Sequence, residues 1–477
     1  MGAGSFSKNS GTMNQREAVP LDQATHMTEG SPWKHILKFA WPVFLGNLFQ
    51  QLYNVADSLV VGNFTDEYSL GAVVSSGSLI FMLVGFFSGV FTGAGAVIAR
   101  YFGARDKEKL QSAVHTSVAL GLVSGIGMSL LGVVISPVLL RWIGTPDNIF
   151  PKSVIYFRIY FSGCVFVILY NTAAGILQAV GDSKYPLRLL LISSVTNVVL
   201  DLLFVGVFQM DVGGAALATV ISQALSAVLA FRHLLRVPSE YRVQVGRIRF
   251  EGPMLRQILG MGLPSGVQNS IIALANLVVQ SSINMFGELA VAGCGCYSKI
   301  DGFAFLPITS FSLALATFIS QNIGAGKPDR ARQGARFGIV TALIMAEIIG
   351  VVFRLFAPQF LTLFGCGSDA VSFGVRQTRV ITLFYFLLAF SHIIAGIMRG
   401  AGRAIVPMLV MTLCWCVVRV SYLLLVAQPS GNIEMVFWCY PLTWFLSSVI
   451  FLIYYLFADW PHYLLKKSAA GVEEKRV

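Results

Sequence analysis

The run Ile36–Phe64, ILKFAWPVFLGNLFQQLYNVADSLVVGNF, decides how the rest of the chain is read. It is mostly apolar and exceeds the roughly 20 residues that a helix needs to cross a bilayer. Yet it holds Asn47, Gln50, Gln51, Asn54, Asp57 and Ser58. Steps of three and four connect Asn47, Gln50 or Gln51, Asn54 and Asp57, which on a helix makes one polar stripe. Asp57 is its costliest member, because a carboxylate at mid-membrane costs roughly 2.5–3.5 kcal/mol. The stripe is therefore expected to face other protein or a water-filled cavity, with the remainder of the chain housing it.

Composition sets the class. Of 477 residues 55% are hydrophobic and only 12% charged, too few charges to coat a soluble protein of this size. About twelve apolar runs can be read, at roughly 36–64, 71–100, 112–138, 154–180, 186–208, 213–235, 256–286, 291–321, 334–360, 372–398, 404–427 and 434–457. This predicts an all-α polytopic membrane protein of twelve transmembrane helices. The net charge of +11 would suit nucleic acid, but its placement argues for a different origin. Lys34 and Lys38 precede the first span; Arg100, Arg105, Lys107 and Lys109 follow the second; Lys184 and Arg188 follow the fourth. Six arginines between Arg232 and Arg256 follow the sixth, Lys327, Arg330, Arg332 and Arg336 the eighth, Arg399 and Arg403 the tenth, and Lys466 and Lys467 the last. The intervening loops TDEYS and QPSGN carry neither Lys nor Arg. That alternation predicts a multi-pass protein of the cell membrane, in contact with lipid, with both termini cytoplasmic and no nucleic-acid partner.

Residues 1–30 are polar and lack the basic start and apolar core of a signal peptide, so a disordered cytoplasmic tail is expected there, and a second tail over 459–477. The seven cysteines sit in or beside apolar segments, and the two C-x-C pairs would point about 200° apart on a helix. They read as small apolar residues rather than a disulfide framework or a metal site.

The chain repeats itself. Pro42, Asn47 and Asn54 recur as Pro264, Asn269 and Asn276 with the same spacing. FGARDKEKLQSA answers IGAGKPDRARQGA, and ILQAVGDSKYP answers GIMRGAGRAIVP, all at an offset of about 221. Each half holds six spans, an even number, so both enter the membrane in the same direction. The halves, 31–236 and 256–458 joined by a cytoplasmic linker at 237–255, are expected to be two six-helix bundles related by a pseudo-two-fold axis along the membrane normal, with the working cavity between or within them.

On these residues the chain resembles the multidrug and toxic compound extrusion (MATE) transporters. The resemblance covers nearly everything after residue 30. It rests on the first-span P-x-x-x-x-N…V-x-D-S-x-x-V-G run ending at Gly62, the loops FGARDKEK and QNIGAGKPDRAR, the turn ILQAVGDSKYP, and TNVVLDLLF in span five. It implies a V-shaped cavity between two bundles and export of lipophilic, often cationic compounds against inward proton or sodium flow, by a monomer that is not an enzyme and needs no cofactor. Members with an amino-terminal cation site use a first-span Asp, an Asn and Asp four apart in span five, and a Thr in span six. Asp57, Asn197, Asp201 and Thr219 stand at the matching places. Other members use a carboxylate in span seven, where this chain has none between Arg256 and Phe286. Coupling is therefore expected in the first half.

The chemistry of that set is plain. Asn197 and Asp201 are spaced i, i+4 and share a face. With Asp57 beside them, two carboxylates would share one low-dielectric pocket, where both cannot readily stay ionised. Protonation releases a bound cation and deprotonation restores affinity for it, which couples opposite fluxes once each ligand permits reorientation. A sodium ion could use the same oxygens, with Asn197 and Thr219 as neutral ligands. The alternative is a polar contact between helices. Gln51, Tyr53 and Asn54 would orient Asp57 or line the cargo path, and Asn276, Gln280 and Asn284 would line the cavity opposite; packing is the plainer reading of both groups. Lys299, Asp301, Glu347, Arg354, His392 and Arg419 are further polar groups in apolar surroundings. For Arg419, Glu347 is a candidate partner. The rival function is a flippase for a lipid-linked sugar or similar amphiphile, which cavity-facing arginines would favour. No G-x-x-x-x-G-K-[ST] loop for ATP and no H-E-x-x-H metal motif occurs.

Overall fold

Twelve helical spans follow one another: α1 (Pro32–Phe64), α2 (Glu67–Gly103), α3 (Lys107–Trp142), α4 (Phe150–Ser162 then Cys164–Ala179, bent by 45°), α5 (Lys184–Val207), α6 (Asp211–Arg236), α7 (Gly252–Asn284), α8 (Glu288–Gly324), α9 (Pro328–Leu355), α10 (Ser368–Gly400), α11 (Ile405–Ser430) and α12 (Ile433–Phe457). The structure, a computed structural model, describes residues 24–464. Among those residues no strand occurs. Among the described residues ten of the helices are long and apolar enough to cross a membrane, and α4 makes eleven when its two parts count as one span. α1 is outside that set and is the helix with the polar stripe. The helices begin earlier than the apolar runs because capping residues extend them: Asp66 accepts from Ser69 N (2.8 Å), Asp106 from Lys109 N (3.1 Å), and Pro32, Pro253 and Pro328 occupy first turns.

The repeat is visible in the backbone. Gly181 and Gly402, in the two matched turns, take φ +85° and +80°, and the amides after them bond back identically, Asp182 N to Leu177 O (2.9 Å) and Arg403 N to Met398 O (2.8 Å). Arg105 and Gly326 are likewise equivalent, at φ 56° and 69°. The halves meet reciprocally at one end: a Cβ on Gly103 would collide with the Gln321 carbonyl, and one on Gly324 with that of Arg100. Such mutual contact between equivalent residues is what a two-fold axis produces. Asn47 and Asn269 repeat that logic deeper in. Asn47 Nδ2 donates to Ser310 Oγ of α8 (3.1 Å), and Asn269 Nδ2 to Gly85 O of α2 (3.1 Å), so each reaches across to the opposite half. Along the α2–α7 seam Gly93 meets Gly262 so closely that a Cβ would sit 2.5 Å from its backbone.

Two large cores result, and each borrows from the other half. Ile36, Phe39, Ala40 and Val43 of α1 pack in the second-half core, while Met254 and Ile258 of α7 pack in the first-half core. The segment 237–255 lies against α3, with Tyr241 and Val243 buried and Gln244 N donating to His115 Nε2 (2.9 Å).

The tail expected to be disordered over 1–30 is corrected for residues 24–30, which form a strap over the lysine- and arginine-rich end of the seam; residues 1–23 lie outside the described residues. Thr25 N donates to Val180 O (3.0 Å), Met27 N to Gln321 Oε1 (2.9 Å), and Asn322 Nδ2 to Met27 O (3.2 Å). His26 stacks on Phe102 at 4.1 Å. Arg330 donates to the carbonyls of Met27 (3.2 Å), Glu29 (2.8 Å) and Gly30 (2.6 Å). Composition hid this because the strap bonds mostly through its main chain, which any sequence possesses. Of the tail expected over 459–477, the part up to 464 is also docked: Trp460 is buried on Tyr455, and Tyr463 lies under Arg403 at 3.9 Å.

On the opposite face Lys152 is held by acids from two loops, with Nζ 2.8 Å from Asp66 Oδ2 and 2.8 Å from Asp211 Oδ2. The Lys152 ammonium, then the Ser69 hydroxyl and amide, hold Asp66 at about 2 against its usual 3.8. A carboxylate so depressed stabilises the fold above its ordinary value and loses that contribution as pH falls through the folded one. The melting-temperature gap between wild type and Asp66→Asn should thus be constant from neutrality to about pH 4 and close by about pH 2; a gap independent of pH would remove the charge from the explanation. Separately, Arg330→Ala should free the strap, with a loss of about 1–3 kcal/mol and faster amide exchange confined to residues 24–30; unchanged exchange there would show that Arg330 does not hold it.

Candidate functional site

α1 carries its stripe into the interior of the first half. α1 packs along α5 and brings Asp57 close to Asp201, although the two are 144 residues apart in sequence. Asp201 is fully buried and Asn197, one turn earlier on the same face, is 1% exposed. Neither oxygen of Asp201, Oδ1 of Asp57, nor either amide atom of Asn197 has a hydrogen-bond partner among the described residues. Such orphaned buried atoms are rare and mark where a ligand, ion or proton belongs. Asp201 also ends the α-helical part of α5, which continues as a wider π turn over Leu202–Val207, an irregularity often found at functional sites.

Thr219 joins the pocket through helix register. Ser193 Oγ donates to Ser222 O (3.1 Å) and Ser226 Oγ to Leu189 O (3.4 Å), fixing α5 antiparallel to α6. Continuing that register one turn brings Thr219 level with Asn197. Thr219 is buried, and its hydroxyl donates to Ala215 O (3.1 Å), leaving an oxygen lone pair for a cation. Tyr53 and Tyr156 lie near the pair, and Tyr53 shares a cavity wall with Gln223. The arrangement supplies two carboxylates and neutral oxygens in apolar surroundings, a donor set that suits a proton or a hard cation.

Beside this pocket, between the halves, is a central cavity of about 470 Å³. α1 contributes Asn47, Gln50 and Tyr53; α7 contributes Gln268 and Asn269; α10 contributes His392 and Arg399. Of the residues expected to line a cargo path, Tyr53 lines this cavity. Gln51 and Asn54 lie on the adjacent flank of α1 and are not in this lining, because successive residues turn by about 100° around the helix. Gln51 approaches Gly302 of α8 instead. Asn276, Gln280 and Asn284 are also outside it. Asn276 accepts from Arg419 Nη1 (3.2 Å), while Gln280 donates to Asn284 (2.9 Å) on an exposed surface beyond the level of Gln268 and Asn269.

The other interior charges find neutral company. Arg419, 1% exposed, bonds Asn276 and Thr443 Oγ1 (3.0 Å) and lies 4.8 Å from the Tyr440 ring and 5.3 Å from that of Trp415, rather than pairing with Glu347. Aromatic faces and amide oxygens thus take the place of a counter-ion. Asp301 accepts from Tyr385 (2.7 Å) and Tyr297 (3.2 Å), Arg354 bonds the Arg379 carbonyl, and Lys299 is exposed. Sequence reasoning missed Gln178, Gln223, Gln268 and Arg399 as cavity residues. Gln178 and Arg399 were legible only as equivalent positions of the two repeated turns.

The MatE family model matches the chain twice, over residues 42–203 and again over 264–425, one match per half. Among similar proteins, the "Probable multidrug resistance protein YpnP" of Bacillus subtilis is 28% identical over 92% of this chain and 98% of its own. The "Probable multidrug resistance protein NorM" of Thermotoga maritima is 23% identical over 79% and 82%. The fold matches a solved structure described as the outward-facing conformation of a multidrug resistance MATE family transporter, with a TM-score of 0.85 at 22% identity, over 91% of this chain and 97% of that one. That architecture has twelve helices, as here. With both halves matched and most of the chain covered, the protein belongs to the MatE family of multidrug efflux transporters.

Proposed function

We propose that the protein is a secondary active antiporter that exports lipophilic, often cationic compounds in exchange for protons or sodium, coupled through Asp57 and Asp201. The observation that carries this is the pair of half-buried Asp57 and buried Asp201, with orphaned inner oxygens, one helix turn from a cavity between the halves. Desolvation and mutual repulsion make the doubly ionised, empty pocket unstable, so a proton or sodium ion enters whenever cargo leaves. Asn197 and Thr219 complete an oxygen shell for sodium; a proton needs only the two carboxyls. Binding in the pocket changes what α1 and α5 can pack against. α1 packs along α5 and also sets Ile36, Phe39, Ala40 and Val43 into the second-half core, so it is the direct route from ion occupancy to the seam.

The relatives' names, multidrug resistance and multidrug export proteins, support the same cargo class. With the basic loops in the cytoplasm, the strapped end is the inner one and the cavity is closed to the cell interior. The driving force depends on stoichiometry: about 2.3 kcal/mol per charge per 100 mV is available only if the exchange moves net charge. Flipping of an amphiphile remains the second reading, favoured by the arginine in the cavity wall.

In proteoliposomes, ethidium efflux should be driven by an imposed proton or sodium gradient, and Asp57→Asn and Asp201→Asn should each abolish cargo-induced release of that ion while the protein still folds. Unimpaired coupling in both variants would remove the pair from the mechanism. Imposing a sodium gradient at equal pH separates the ions: transport that persists there with an uncoupler present excludes a proton-only scheme.

A further inference from the structure

One side chain in the cavity wall carries a fixed charge that the exchange above does not use. Arg399, in the last turn of α10, lines the central cavity. Its Nη2 donates to Ser312 Oγ (3.2 Å), and Ser312 in turn donates to His392 O (2.7 Å). Its Nε is buried with no acceptor among the described residues. A guanidinium has five N–H donors in a planar fork and keeps its charge at any physiological pH. Among the described residues no ion pair includes Arg399. No Asp or Glu lines the cavity, so the lining holds one fixed positive charge, the His392 ring with its unpartnered Nε2, and neutral amides. Behind Arg399, Arg100 borders the same narrow crevice and adds like charge. The equivalent position of the first half is the neutral Gln178, so the fold itself does not require an arginine here.

A cation left without a counter-ion in such a place is costly, and a planar fork facing a cavity matches an oxyanion. We propose that the central cavity takes its cargo by an acidic group, the carboxylate or phosphate of an amphiphile docking on Arg399 while its apolar body lies against Phe91, Phe305 and Leu313. This rests on reading the cavity as the cargo path, and not on which ion drives transport. Neither carboxylate of the pair is in this lining, so an acidic or zwitterionic cargo meets no negative wall. A purely cationic cargo gains nothing from Arg399 and must be held by the amides and aromatic rings.

The test is equilibrium binding to the full chain in phosphatidylcholine vesicles without any ion gradient, using dansylaminoundecanoic acid, its methyl ester and ethidium. The acid should bind the wild type roughly tenfold or more tightly than the ester. Arg399→Gln should erase that difference by weakening the acid alone, and Arg399→Lys should retain part of it. Equal binding of acid and ester by the wild type overturns the proposal without recourse to any variant. So does an Arg399→Gln protein that loses all three probes by the same factor, which is the mark of a structural role. Displacement of the acid when phosphatidylglycerol is added overturns the assignment to cargo and gives the site to a lipid phosphate. The same acid preference should persist on an Asp57→Asn background, so loss of ion coupling and loss of this site are read separately.

Discussion

Two carboxylates facing each other inside an apolar bundle are the constraint on which the rest of this structure depends. Their repulsion and desolvation cannot be relieved by the surrounding protein, because no described donor reaches Asp201 and none reaches the inner oxygen of Asp57. In the proposed mechanism that relief comes from a proton or a cation. The neighbouring Asn197 amide is equally unsatisfied, which is expensive in a pocket built only for stability. A π turn follows Asp201, an irregularity often found at functional sites.

The second half answers with the opposite sign. Asn54 of the first half and Asn276 of the second stand at the same place in the Pro–Asn–Asn repeat. In the second half Asn276 accepts from Arg419, and the arginine is finished off by Thr443 and two aromatic rings. One half holds an unsatisfied acidic pocket and the other a satisfied basic one, so ion exchange is expected to be asymmetric between bundles of the same architecture.

Coupling also needs a seam that can be either closed or open. Here it is closed at the basic end by glycines, which let the α2 and α8 backbones touch, and deeper in by the α2–α7 glycine contact and by reciprocal side-chain clasps from Asn47 and Asn269. Backbone-to-backbone packing of this kind leaves little to deform gradually, which favours a switch between two arrangements over a continuous hinge. The strap over residues 24–30 adds bonds to α4, α8 and α9 at once. It can remain on all of them only while the halves stay together.

Much of this was legible in the chain. Apolar runs, alternating loop charge and the repeated Pro–Asn–Asn and glycine turns are local or periodic signals, and helices in lipid obey local rules because every backbone group must be satisfied within its own segment. Asp57 could be named because burying a carboxylate in a span is costly wherever the helix packs, and Asn197 and Asp201 because they stand at the places the family resemblance implies. Helix rotation and partner choice were not legible, because they depend on how remote surfaces fit. Spacing alone gave Gln51, Tyr53 and Asn54 equal standing, and only tertiary packing turned Tyr53 into the cavity. It also gave Arg419 to Asn276 and Thr443 rather than to Glu347, laid a nondescript polar tail across the seam, and aimed Arg399 at an empty space between two halves that the sequence could count but not assemble.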